Sequence, residues 1–371
     1  MIYNWQQSDW RNFRYVLNEA DDRLLLFAEE AGLINGMFKA LPDDIKIETI
    51  VNTMVTEAVK TSEIEGDYVN RKDVMSSIRN NLGLNTINVP VKDKYAKGVG
   101  ELMVKIRNNY SEKLNKEILF EWHRMLMSDN QNIAVGKWRT HSEPMQVVSG
   151  AYGKETVHFE APPSVSVPEE MDKFINWFND TAPGGTNEMK KAPIRSAIAH
   201  LYFESIHPFE DGNGRIGRAI AEKALSQTLG RPVILSLSRT IESDKKTYYN
   251  ELKIAQQSNE ITNWVKYFVG IILSAQIDAR QIIDFIIKKT LYFDKYKQNF
   301  NERQLKVIKR MLDEGPGGFE GGITANKYTS ITKISKATAT RDLQYLAEIG
   351  ALISTGGGRS THYIIKLSES E

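Results

Sequence analysis

The chain contains no cysteine. That excludes disulfides, thiolate nucleophiles and zinc–thiolate centres together, and it fits a reducing compartment. Net charge is almost absent: 48 basic residues against 47 acidic ones give +1, so no global field draws the protein to nucleic acid or an anionic membrane. Long apolar runs are also missing. The cluster from Tyr267 to Leu273 is far shorter than the roughly 20 residues that span a bilayer. The opening MIYNWQQSDW has no basic segment ahead of an apolar one, so no secretory signal is expected. What remains is ordinary globular composition over 371 residues, 41% apolar and 26% charged, enough for two or three cored units. The expectation is a soluble, cytoplasmic protein with no membrane partner.

Periodicity predicts a mainly α chain. After a first stretch of about 20 residues with Trp5, Trp10, Phe13 and Tyr15 but no period, read as an irregular arm packed on something else, apolar positions from Leu24 to Phe38 recur at helical spacing. A second helix starts near Pro42-Asp43-Asp44, buries Ile47, Ile50, Val51, Met54, Val55 and Ala58, and meets Gly66 as a left-handed stop. Its last turn is unusual. Thr61 and Glu65 share one face, and Glu65 sits where the helix dipole disfavours a carboxylate; it is either a solvated surface residue or one that meets a cation from elsewhere in the fold. Further helices are predicted at 69–82, 93–109, 115–128, 167–179, 192–206 and 215–229, then on to about 298. Two strand-like runs at 145–149 and 156–159 flank Gly150-Ala151-Tyr152-Gly153, a hairpin signal.

Gly315 to Gly322, reading GPGGFEGG, is the sharpest break in the chain. Around and after it, helices at 303–312, 324–331 and 335–350, with Ser335 as N-cap, precede two strands joined by Gly356-Gly357-Gly358-Arg359, the outline of a winged helix-turn-helix. Over 323–367, six basic residues (Lys327, Lys333, Lys336, Arg341, Arg359, Lys366) face two acidic ones (Asp342, Glu348), a local charge of +4. Lys336, Thr338, Thr340, Arg341 and Arg359 would be the DNA contacts of such a module. The modest charge leaves open a protein partner or homodimer instead.

The densest chemistry lies at Ser205 to Arg218, SIHPFEDGNGRIGR. Gly212-Asn213-Gly214 at the start of a buried helix lets backbone amides converge on a phosphate, although such glycine turns are also common in plain loops. Arg215 and Arg218 occupy one face of the first helical turns, where the dipole disfavours cations unless an anion is present. Local pairing, Asp211 with Arg215 and Arg218 with Glu222, would balance the charges. A polyphosphate would account for the glycines as well. Asp211 suits a hard divalent ion, and His207 suits proton transfer near neutral pH. A transition-metal set of His200, Glu204 and His207 is the competing use of the same helix end.

From His207 to Arg218 the sequence matches every defining position of the Fic signature: His, any, Phe, any, Asp or Glu, Gly, Asn, Gly, Arg, two of any, Arg. Thr61, Glu65 and Gly66 resemble the inhibitory-helix motif of that family, and the 145–159 hairpin resembles its flap for docking a target segment. The resemblance implies a Fic helical core with a β-hairpin flap, divided as an N-terminal helical region at 1–100, a catalytic core at 101–298 and a winged-helix domain at 299–371. It implies AMP transfer from ATP to a Tyr, Thr or Ser hydroxyl of a protein, which includes the chain itself. His207 would be the general base and Asp211 the Mg²⁺ ligand; Gly212, Asn213, Gly214, Arg215 and Arg218 would hold phosphates, and Phe209 would anchor the loop. Tyr248 and Tyr249 resemble adenine-pocket residues, with ordinary helix packing as the alternative, and Gln256 stands where some relatives carry Asn. Glu65 would pair with Arg218 and block productive nucleotide binding. Fic-type transfer from another nucleotide, removal of AMP, and a nucleotide-sensing DNA-binding regulator are the alternatives.

Overall fold

The structure, a computed structural model, describes residues 2–16, 18, 21–130, 132–149, 156–365 and 367. The expected hairpin tip, Gly150-Ala151-Tyr152-Gly153, and Lys366 lie outside the described residues. In chain order the elements are α1 (Asp21–Ala40), α2 (Asp43–Glu65), α3 (Arg71–Asn81), α4 (Lys94–Asn108), α5 (Lys116–Met127), β1 (Gln146–Ser149), β2 (Thr156–Glu160), α6 (Val167–Asp180), α7 (Ala192–Ile206), α8 (Asn213–Leu229), α9 (Leu237–Ser243), α10 (Lys245–Ala255), α11 (Thr262–Tyr296), α12 (Glu302–Leu312), α13 (Ala325–Thr332), α14 (Lys336–Glu348), β3 (Leu352–Thr355) and β4 (His362–Ile365). The fold is mainly α, as the periodicity predicts. No helix among the described residues is long and apolar enough to cross a membrane.

The chain divides into two compact units, Met1–Gly32 with Lys46–Ile277, and Leu33–Ile45 with Asp278–Glu371. In the first, every residue of α7 is buried, because Ile194, Ile198, Leu201, Phe203 and Ile206 clothe several of its faces. One continuous core joins it to α2, α3, α4, α5, α6 and α8 through Val55, Val74, Val99, Trp122, Phe174, Phe203 and Ile220. Truncating an aromatic such as Phe174 there would cost about 3–5 kcal/mol.

α2 uses Val51, Met54, Val55 and Ala58 for its buried stripe, while Ile47, expected in that stripe, is exposed. Gly66 then takes φ +91°, a conformation that side chains resist, and the helix stops. The N-terminal arm packs by backbone pairing: Arg14 N–H donates to Asn259 O and Ile261 N–H to Arg14 O, both at 2.8 Å. β1 and β2 form an antiparallel pair in which Gln146 faces Glu160 and a register irregularity falls at Val147/Val148.

In the second unit, Tyr292, Val307, Ile308, Tyr328, Leu343 and Leu352 share a core. β3 pairs antiparallel with β4, Leu352 opposite Ile365, and Ile323 bridges to Tyr363 beside them. Ser335 caps α14 by accepting from Thr338 N–H.

Candidate active site

α7 ends at Ile206, and Pro208 forbids His207 a helical backbone. The residue leaves the right-handed region for φ +51°, ψ +61°, the left-handed well that non-glycine residues seldom enter. That geometry is held from outside. Arg139, 1% exposed, donates from Nε to His207 O at 2.8 Å, and from its Nη groups to Ile206 O, Pro162 O and Ser164 Oγ. Below the loop, the fully buried Phe209 stacks on His123 with ring centroids 4.1 Å apart and also meets Trp138. His123 accepts Gly136 N–H at Nδ1, so its Nε2 carries the proton and donates to Asp211 O. Burial pushes this imidazole down to about 4, so it stays neutral while it holds the loop.

α8 begins at Asn213, two residues earlier than the sequence predicts. The reason is Asn213 itself: its carboxamide accepts Phe209 N–H at 2.9 Å and donates to Phe209 O at 2.8 Å, closing the loop on its own backbone. Gly212, at φ +80°, makes the turn, and a Cβ there would lie 2.6 Å from Met127 Cε. The first amides of α8 therefore emerge at a helix N-terminus, where they have no intrahelical acceptor. A cleft of about 520 Å³ opens beside them, lined in part by Asp67, Tyr95, Met127, Asn130, Asp211 and Arg215.

Both signature arginines are nearly buried, and each is held from the end of α2. Arg218 donates to Thr61 Oγ1 at 2.7 Å, to Thr61 O at 2.9 Å and to Glu65 Oε1 at 2.7 Å. Burial works against its charge, yet the Glu65 carboxylate and the Tyr248 and Tyr249 hydroxyls more than offset that and hold the guanidinium above its ordinary range. A Cβ at Gly214 would overlap Glu65 Oε1, so this carboxylate rests against the first turn of α8, the ground an anion would take. Of the two local pairings expected, Asp211–Arg215 forms at 3.0 Å, whereas Arg218 turns to Glu65. Arg215 also binds Asp67 Oδ2 at 2.9 Å and Tyr95 Oη at 2.5 Å.

Thr61, Glu65, Gly66, His207, Asp211, Gly212, Asn213, Gly214, Arg215 and Arg218 are thus assembled at one place by α2, α7 and α8. Tyr248 and Tyr249 lie on the Arg218 side. Tyr248 is buried with its hydroxyl 2.7 Å from His200 Nε2, while the partly exposed Tyr249 donates to Ile64 O. Gln256 spends its amide on Glu204 O. The three-residue metal set is not seen: among the described residues no group of three His, Cys, Asp or Glu side chains could hold an ion. Sequence reasoning missed Asp67, Tyr95, His123 and Arg139. The adjacency of Asp67 to the Gly66 stop and the buried-looking Trp138-Arg139 pair were the only signals available.

Two family models match the chain: Fic/DOC family over residues 113–225, and a domain of unknown function, DUF4172, over residues 3–84. Protein adenylyltransferase fic-1 of Caenorhabditis briggsae is 29% identical over 150 residues, covering 40% of this chain and 25% of the relative. Protein adenylyltransferase Fic of Nematostella vectensis is 26% identical over 182 residues, covering 49% and 36%. The matches therefore span about a quarter to a third of these relatives' length. A crystal structure of a Fic family protein from Desulfovibrio desulfuricans superposes with a TM-score of 0.53 at 19% identity, covering 94% of this chain and 97% of that one. A Fic domain containing signaling protein from Bacteroides thetaiotaomicron gives 0.53 at 20% identity, covering 72% and 96%. With its signature loop, buried α7–α8 pair and Fic-type structural neighbours, the chain carries a domain of the Fic/DOC family.

Proposed function

We propose that the protein is an adenylyltransferase that moves AMP from ATP to a Tyr, Thr or Ser hydroxyl of a protein, and that Glu65 restrains it. The observation that carries this reading is the Glu65 carboxylate lying on Arg218 and against Gly214, an acid seated in an anion-binding turn. In the transfer itself, His207 takes the proton of the target hydroxyl as its oxygen attacks the α-phosphorus and pyrophosphate leaves in line. The α8 amides around Gly212, Asn213 and Gly214, with Arg215 and Arg218, hold the phosphate charge. Such chemistry is mostly positioning and charge stabilisation. A divalent ion, Mg²⁺ by its usual pairing with ATP, fits Asp211, a half-exposed carboxylate of the hard-oxygen type that commonly supplies one protein ligand; when bound it supplies charge neutralisation between phosphates. The names of the relatives, protein adenylyltransferases, support the same class.

The test is intact mass after the Glu65→Gly variant is incubated separately with ATP, UTP, GTP and CTP. An AMP adduct from ATP that is absent from Glu65→Gly/His207→Ala is expected. An adduct only from another nucleotide, or none from any, overturns the assignment.

A further inference from the structure

Glu204 is a carboxylate that burial should not tolerate. It is 4% exposed on the all-buried α7, and its Oε1 has no hydrogen-bond partner. An isolated buried carboxylate is costly and normally neutralises or acquires a partner. Its Oε2 lies 3.5 Å from His207 Nδ1, itself a buried nitrogen without a hydrogen bond. Across from it, α8 makes room: a Cβ at Gly217 would overlap Glu204 Oε1 and lie 3.2 Å from His200 Cε1. Position 217 is one of the four free places in the signature, so here glycine answers to Glu204.

The other titratable groups facing this carboxylate are otherwise occupied. His200, one turn earlier on α7, is held below its ordinary range by burial and pairs with the Tyr248 hydroxyl. Tyr248 and Tyr249 on α10 are both pushed up by burial. Arg218 on α8 is bound to Thr61 and Glu65. Burial alone would raise Glu204, but the adjoining His207 and the nearby Arg218 more than offset it and keep the acid ionised.

We propose that Glu204 is the positioning residue of the transfer site: its carboxylate accepts the Nδ1–H of His207, fixing that tautomer and ring orientation so that Nε2 is bare toward the target hydroxyl. When the hydroxyl proton moves to Nε2, its oxygen bonds the α-phosphorus, the bond from that phosphorus to the pyrophosphate oxygen breaks, pyrophosphate leaves, and the imidazolium left behind is stabilised by Glu204. A 3.5 Å contact is long for a hydrogen bond, and catalytic contacts commonly tighten only with substrate bound. The proposal rests on reading His207 as the general base.

The test pairs a readout that needs no activity with one that does. In ¹⁵N-histidine NMR of the full chain, with His207 assigned from His207→Gln, the wild type should show the Nδ1–H tautomer. In Glu204→Gln, which has no carboxylate to accept the Nδ1–H, the share of that tautomer should fall; Gly217→Ala, which crowds the acid without removing it, should lie between. In the Glu65→Gly background, Glu204→Gln should lower kcat about 10- to 100-fold, part of the roughly 10²–10⁴ a positioned base supplies, with KM for ATP unchanged. An unchanged His207 resonance and tautomer in Glu204→Gln overturns the pairing. A shifted resonance with no transfer by the Glu65→Gly parent keeps the pairing and overturns the transfer reading.

Discussion

Removing Glu65 should weaken the free protein and strengthen its grip on nucleotide. Glu65→Gly deletes one charge-assisted hydrogen bond of 2.7 Å to an arginine 1% exposed. Deleting one partner of a fully buried pair costs about 3–5 kcal/mol. Here the carboxylate is 27% exposed and Arg218 keeps two bonds to Thr61, which brings the expected loss to about 1–2 kcal/mol. For a unit of this size that is a fall in Tm of about 3–6 °C. The same change frees the N-terminal turn of α8 and one donor of Arg218 for phosphate. Saturating ATP at about 100 times Kd would then return about 2.7 kcal/mol by mass action. Differential scanning fluorimetry of both proteins, with and without ATP and a non-hydrolysable analogue, reads both effects. The reasoning is refuted if the variant is as stable as the wild type when free, or if ATP shifts the two by the same amount.

Three further outcomes follow from the supports of the loop. His123 is neutral in the fold, held down to about 4 from an ordinary 6.5 by burial; as pH falls the unfolded chain takes up the proton first, so stability should drop between about 6.5 and 4, by roughly 3 kcal/mol in all. Urea midpoints across that window should show the slope in the wild type and a slope smaller by one proton in His123→Gln. Arg139→Ala leaves the carbonyls of Pro162, Ile206 and His207 without their donor and should cost about 3 kcal/mol or more in urea unfolding, while Arg139→Lys, lacking the planar fork, should recover little of it. Gly212→Ala places a Cβ at φ +80° against Met127 and should lower the Tm; adding Met127→Ala relieves the crowding and should recover only part, because the backbone cost of about 1–2 kcal/mol remains.

What could be read from the sequence was what is decided locally. Gly66 ends α2 because a left-handed residue was needed there, and the loop from His207 to Arg218 gathers its chemistry within twelve consecutive positions. Pro208 announced that His207 leaves the helix but not which way it turns. That hand is set by Arg139, which lies 68 residues earlier and has no periodic relation to it. The early start of α8 escaped notice because Asn213 looks like a turn residue until its amide is seen to close on Phe209. Asp67 and Tyr95 reach Arg215 across separations of 148 and 120 residues; no spacing rule covers such distances.

Gly66 separates two acids that grip different arginines, Glu65 on Arg218 and Asp67 on Arg215. One backbone joint therefore carries both restraints, and moving it loads or unloads them together. On the proposed reading, whatever draws the end of α2 away should release both arginines together, because both contacts hang on that one joint. The site should respond as a latch, with a threshold, more than as a dial.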